Sequence, residues 1–150
     1  MNHPTVDLVF DGQCGFCTRS VNWIKRLDRH ARINVHPAQR LGVREQFGLT
    51  EADTQNAAWA FSNGRRTAGA AAINLALDAV LGIRFFSVLH RIPGLHWAQE
   101  RTYRWISAHR YLLRGVTPWC TAHPEDCELA IEGATCTRPI GGGDAPSCSG

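Results

Sequence analysis

Apolar and polar positions in the first third of the chain predict a strand, a helix and a second strand. The apolar run Val6–Phe10 predicts a buried strand, and residues 18–29 carry apolar side chains at helical spacing on one side. A second short strand is predicted over residues 33–36, because Pro37 stops the run. Since the helix lies between two strands, this unit predicts a parallel strand pair.

The pattern beyond this unit predicts a short helix, a hairpin and two longer helices. Their ranges are residues 40–47 for the short helix, 57–61 and 65–68 for the hairpin strands, and 70–81 and 95–113 for the longer helices. Asn63-Gly64 lies between the hairpin strands and is typical of a tight turn. In the last helix the spacing predicts a set of inward-facing side chains: Tyr103, Trp105, Ile106, His109 and Leu112. The element order predicts an α/β fold.

Composition narrows the class of protein only moderately. A chain of 150 residues is long enough for one domain with a real core, and its net charge is +3. The arginines are scattered, so no nucleic-acid partner is expected. No apolar run is long enough for a membrane span, and the N-terminus lacks the basic start and apolar core of a signal peptide. We therefore expect a cytoplasmic protein.

The candidate chemistry lies where the first predicted strand passes into the first predicted helix. Cys14 and Cys17 are one helical turn apart at this junction, a placement typical of thiol–disulfide exchange. Cys14 would lie at the helix N-terminus, where open amide groups lower a thiol pKa below its ordinary value. We expect Cys14 to be the solvent-accessible nucleophile, left uncovered by Gly15. Cys17 would be the more buried, resolving cysteine.

Two charged residues have more than one interpretation. Asp11 precedes Cys14 by three residues and is either an acid/base for Cys17 or, as we favour, a turn residue that shapes the loop. Arg110 either pairs with an acidic group or substrate, or anchors the last helix to the body of the domain. No cofactor and no metal is assigned to this site.

The last part of the chain has a different character. We divide the chain into a domain over residues 1–115 and an irregular tail over residues 116–150. The tail holds the remaining four of the six cysteines: Cys120, Cys127, Cys136 and Cys148. With His123, some of them could hold zinc, although the spacing fits no common finger. A disulfide among them, or free thiols, are the other interpretations.

Several short motifs in order resemble the DCC family, the predicted thiol–disulfide oxidoreductases also called domain of unknown function 393. The matching residues are Asp11-Gly12-x-Cys14-x-x-Cys17, Trp59-Ala60-Phe61, Gly64, Gly69, Ala72, Ile92-Pro93-Gly94 and Tyr103-x-x-Ile106-x-x-x-Arg110-Tyr111. The resemblance covers about residues 5–115. It implies a thioredoxin-like three-layer fold with a mixed central sheet, followed here by an extra C-terminal helix. For Cys14 and Cys17 it implies the redox pair.

Two classes of function remain open from the sequence. The first is a reductase of protein or small-molecule disulfides that works through a mixed disulfide and receives electrons from an unidentified donor. The second is a non-catalytic metal-binding or interaction module that keeps the same fold. The position of the cysteine pair at a helix start favours the first.

Overall fold

A four-stranded mixed sheet forms the centre of the molecule in a computed structural model that describes residues 5–127. Its strands are β1 (Val6–Phe10), β2 (Ile33–Pro37), β3 (Trp59–Ser62) and β4 (Arg65–Ala68), in the order β2-β1-β3-β4. β1 is parallel to β2 and antiparallel to β3, and β3 is antiparallel to β4. The parallel pair and the hairpin predicted from the sequence are both confirmed.

Helices cover both faces of this sheet. They are α1 (Gly15–Leu27), α2 (Val43–Phe47), α3 (Glu51–Asn56), α4 (Gly69–Leu81), α5 (Phe85–Leu89), α6 (Pro93–His109) and α7 (Trp119–Ala122), followed by a 3-10 turn over Pro124–Asp126. Alternation along β1 places Leu8 and Phe10 in one apolar cluster with α1 and α4. Val9 packs on the opposite face with Val43 of α2. This arrangement is the predicted α/β, thioredoxin-like architecture.

Helix α3 was not predicted. Thr50 caps its start, because its hydroxyl accepts the Asp53 N–H at 3.1 Å while the Asp53 carboxylate accepts the Thr50 N–H at 2.9 Å. The sequence contains the residues of this reciprocal capping box, but with aspartate in place of the usual glutamate or glutamine. The six-residue helix is also too short to show an apolar period.

The predicted inward face of α6 was partly wrong. Trp105 and Leu112 are 57% and 84% exposed, whereas Tyr103 and Ile106 are half-buried and Arg110 is buried. The buried side of α6 therefore passes through positions 103, 106 and 110, and Trp105 lies off that stripe. Leu112 follows the end of the helix, where the period no longer applies.

The described part of the predicted tail packs on the domain. Trp119 and Cys127 lie in the same apolar cluster as β1, α1 and α4. Residues 128–150 lie outside the described residues, so the division into residues 1–115 and 116–150 stays a prediction. Among residues 5–127, no helix is both long and apolar enough to cross a membrane.

Candidate functional site

Cys14 caps the N-terminus of α1. Its backbone is extended (φ −92°, ψ 114°), and its Sγ accepts the Cys17 N–H at 3.2 Å. Its carbonyl accepts the Thr18 N–H at 3.0 Å, which is the first turn of the helix. A sulfur therefore takes the place that serine or aspartate oxygens usually occupy, and satisfies one of the open amides at the helix start.

The two thiols of this motif differ strongly in acidity. The pKa of Cys14 falls from 9.0 to about 7, chiefly because the Cys17 thiol donates a hydrogen bond to the Cys14 sulfur. Burial opposes this shift, whereas the Cys17 N–H and the Arg110 charge lower the pKa further. The pKa of Cys17 is raised, first by the same hydrogen bond, which holds its proton, and then by burial. Near neutral pH the negative charge of the pair therefore resides on Cys14.

The exposure of the two cysteines is the reverse of what we expected. Cys14 is fully buried, whereas Cys17 is partly exposed. The sequence favoured an accessible Cys14 because Gly15 has no side chain. The backbone of Val116 occupies that space instead: a Cβ on Gly15 would clash with the Val116 carbonyl.

Residues 115–120, which we call the strap, lie across residues 11–17, which we call the cysteine loop. The Val116 N–H donates to the Gly15 carbonyl at 3.2 Å, and the Cys120 N–H donates to the Gly12 carbonyl at 3.0 Å. The Trp119 N–H donates at 2.9 Å to the hydroxyl of Thr18, which donates in turn to the Cys14 carbonyl at 3.1 Å. The strap is thus attached by hydrogen bonds to both sides of Cys14.

The strap ends in a disulfide between Cys120 and Cys127, whose Cα atoms are 5.4 Å apart. Of the three interpretations of the tail cysteines, the structure has the disulfide for this pair. A disulfide sulfur is not a thiolate, so this pair does not ligate zinc in this state. Cys136 and Cys148 lie outside the described residues.

A polar network surrounds the carboxylate of Asp11 at the end of β1. Its Oδ1 accepts from the Gln13 N–H at 3.0 Å and from Gln39 Nε2 at 2.9 Å. Its Oδ2 accepts from the Tyr111 hydroxyl at 2.9 Å and pairs with the Arg110 guanidinium at 3.3 Å. Both oxygens therefore have two partners, and the buried charge is compensated.

Sequence reasoning did not identify Gln39 or Tyr111 as members of the site. Tyr111 lies beside Arg110 in the last matching motif, and that adjacency was its only signal. Gln39 had none, because it follows β2 and reaches the site only through the parallel pairing of β1 and β2. Its side-chain oxygen also accepts the Gly12 N–H at 2.8 Å.

Helix α6 holds the loop between α3 and β3 beside the cysteines. The Tyr103 hydroxyl accepts the Ala58 N–H at 2.8 Å, and the Ser107 hydroxyl donates to the Asn56 carbonyl at 2.9 Å. Arg110 donates to the Gln55 carbonyl. Both interpretations of Arg110 therefore apply: it pairs with an acidic group, and it ties the end of α6 to the body of the domain.

An apolar pocket opens next to Cys17. Its walls come from β1, α1, α4 and α6: Leu8, Phe10, Phe16, Val21, Ile24, Ile73 and Ile106. Polar groups lie among these walls, namely Asp11, Ser20, Tyr103, Ser107 and Arg110. Such a pocket with few polar groups is typical of a binding site for an apolar group.

The fold and the motif define a thioredoxin-like domain with a Cys-x-x-Cys pair at a helix start. Comparison with protein families identifies a match to the DCC1-like thiol-disulfide oxidoreductase family over residues 8–116. The chain belongs to this family, as the resemblance in its motifs predicted. No curated protein and no solved structure matched the chain.

Proposed function

We propose that this protein reduces protein or small-molecule disulfides, with Cys14 as the nucleophile and Cys17 as the resolving cysteine. The observation that supports this most directly is the hydrogen bonding at Cys14 Sγ, which lowers the pKa of its thiol to about 7. At neutral pH a large fraction of Cys14 is then thiolate, the form that attacks a disulfide.

The reaction consists of two exchanges. Cys14 thiolate attacks one sulfur of the substrate disulfide, so that a Cys14–substrate bond forms and the other substrate sulfur leaves as a thiolate that takes up a proton. The Cys17 thiol then loses its proton and attacks Cys14 Sγ, which releases the second substrate thiol and leaves a Cys14–Cys17 disulfide. An external thiol donor supplies two electrons to restore the dithiol. The reducing cytoplasm would provide such donors.

Asp11 acts in this proposal as a loop-shaping residue. Its two carboxylate oxygens each have two partners, among them the Gln13 N–H of its own turn and the Arg110 guanidinium. A carboxylate held in this way is poorly placed to accept a further proton. This contact set supports the turn interpretation over the acid/base interpretation.

Access to Cys14 requires the strap to move. Cys14 is buried, and the strap hydrogen-bonds to Gly12, Gly15 and Thr18 on either side of it. The pocket beside Cys17 would then receive an apolar group next to the substrate disulfide, such as a side chain flanking a cysteine.

Trapping of the mixed disulfide tests this assignment of roles. Cys17→Ser should accumulate a covalent complex with a disulfide substrate such as insulin, visible on a non-reducing gel and released by dithiothreitol. Cys14→Ser should form no such complex, and Cys14→Ser/Cys17→Ser is the control for the other cysteines. If Cys17→Ser reduced insulin at the normal rate, the two-cysteine mechanism would be wrong.

A further inference from the structure

Two histidines and a glutamate meet where α5 passes into α6, and none of them lines the pocket beside Cys17. His90 caps the C-terminus of α5, and His96 and Glu100 lie one turn apart on α6. His90 Nε2 is 2.9 Å from His96 Nδ1 and 3.8 Å from a Glu100 carboxylate oxygen. The three potential ligand atoms all lie within 4.8 Å of one another.

The tautomer of His90 is fixed by the residues behind it. Its Nδ1 lies 2.7 Å from the side-chain oxygen of Gln99, which also accepts from Asn74 Nδ2 at 2.9 Å. An amide oxygen only accepts, so Nδ1 of His90 carries a proton, and in the neutral ring Nε2 then presents its lone pair to His96 and Glu100. Histidines that bind metals are held in this way by a second hydrogen bond. Asn74 is buried, so the support is rigid.

The separations suit a transition-metal ion. In a tetrahedral zinc site with bonds of about 2.0–2.2 Å, neighbouring ligand atoms are about 3.4 Å apart. The two separations at His90 Nε2, 2.9 Å and 3.8 Å, lie on either side of this value. Two imidazole nitrogens and one carboxylate oxygen favour zinc, cobalt or nickel over magnesium and calcium, which prefer oxygen ligands.

We infer that His90, His96 and Glu100 bind a divalent transition-metal ion of the zinc class, with water completing its coordination. Such an ion would fasten the end of α5 to α6. Further along this helix Tyr103 contacts the loop between α3 and β3, and Arg110 pairs with Asp11 beside the cysteines. Arg110 lies about 15 Å beyond Glu100 along the helix axis, at 1.5 Å per residue. The inference does not rest on the proposed redox function.

Metal titration of the full chain tests this inference. Thiolates also bind zinc, so Cys14, Cys17, Cys136 and Cys148 are first replaced by serine. Zn²⁺ affinity is measured by competition with a chromophoric chelator, Co²⁺ is added separately for its visible spectrum, and the melting temperature is recorded with and without Zn²⁺. We expect one equivalent of Zn²⁺ to bind, a Co²⁺ spectrum without thiolate bands, and a higher melting temperature with zinc.

Three variants in this background separate a metal site from a chain of hydrogen bonds. His96→Ala, at an exposed ring, should weaken zinc binding about 100-fold or more and remove the thermal shift. Gln99→Met, which removes the oxygen that His90 and Asn74 share but leaves all three ligands in place, should weaken zinc binding by about 10-fold or more. His109→Ala on the same helix is the matched control and should bind like its parent. Absence of zinc binding, or equal affinity in His96→Ala and the parent, would overturn the inference and leave a hydrogen-bonded histidine pair only.

Discussion

Two cysteine pairs lie near the loop that joins β1 to α1, and they differ in hydrogen bonding, exposure and oxidation state. Cys14 and Cys17 begin a helix, where the Cys17 thiol, the Cys17 N–H and the Arg110 charge stabilise a thiolate on Cys14. Cys120 and Cys127 lie in the apolar cluster around Trp119, where each is at most 5% exposed, and form a disulfide. Both pairs bring two sulfurs close together, so the difference in their chemistry follows from the hydrogen bonds and charge around the first pair and the apolar packing around the second.

The two pairs are also connected by hydrogen bonds and by direct contact. The strap that carries Cys120 donates hydrogen bonds to the loop that carries Cys14. A Cβ on Gly12 would lie 2.7 Å from the Cys120 sulfur, so the loop and the disulfide are in direct contact. A change in one pair should therefore be measurable at the other.

The strongest test of this comparison removes the Cys14 sulfur from the first pair and, in a separate variant, both sulfurs from the second. Cys14→Ser should lower the rate of insulin reduction by about 100-fold or more, because no other described thiol has a lowered pKa. Cys120→Ala/Cys127→Ala should retain most of the activity. If the rates of these two variants were equal, the assignment of the nucleophile to Cys14 would fail.

The disulfide should contribute to stability. Removing it in Cys120→Ala/Cys127→Ala should lower the free energy of unfolding by about 2 kcal/mol, since it closes a short loop with a sequence separation of 7. Urea unfolding of the oxidised proteins measures the difference. In dithiothreitol the wild-type and variant curves should approach each other; a gap that persisted there would show that the effect came from packing.

Thr18 links the two regions through one hydroxyl, which accepts the buried Trp119 N–H and donates to the Cys14 carbonyl. Thr18→Val leaves that N–H without a partner and should cost about 1–2 kcal/mol of stability. The same change should loosen the strap and speed the alkylation of Cys14 by iodoacetamide. Thr18→Ser keeps the hydroxyl and is the control. Faster unfolding without faster alkylation would mean that the strap does not limit access to Cys14.

These contacts mark the limit of what could be predicted from the sequence. The strand β1, the start of α1 and the hairpin depend on neighbouring residues, so periodicity and turn chemistry were sufficient to predict them. The strap depends on residues about one hundred positions apart, such as Trp119 and Thr18, and much of its contact is made by backbone atoms. Backbone contacts place few constraints on side-chain identity. Gly15 is a position where they do, because a side chain there would clash with Val116, but we interpreted this glycine as leaving Cys14 uncovered.

The smallest expected effect concerns the guanidinium of Arg110, the charged group that helps to stabilise the Cys14 thiolate. The Arg110 charge lowers the pKa of Cys14, but it contributes less to this shift than the hydrogen bonds from Cys17 do. Arg110→Gln should therefore raise the pKa of Cys14 from about 7 towards its ordinary value of 9.0 without reaching it, because the Cys17 donors remain. The ultraviolet absorbance of the thiolate, followed against pH and corrected with Cys14→Ser, measures this shift. A raised pKa means less thiolate at pH 7, so insulin reduction should slow at pH 7 and recover as the pH rises.

Arg104→Gln replaces an exposed arginine on the same helix and should leave the titration unchanged. An unchanged or lowered pKa in Arg110→Gln would show that the guanidinium serves only to hold Asp11 and the end of α6.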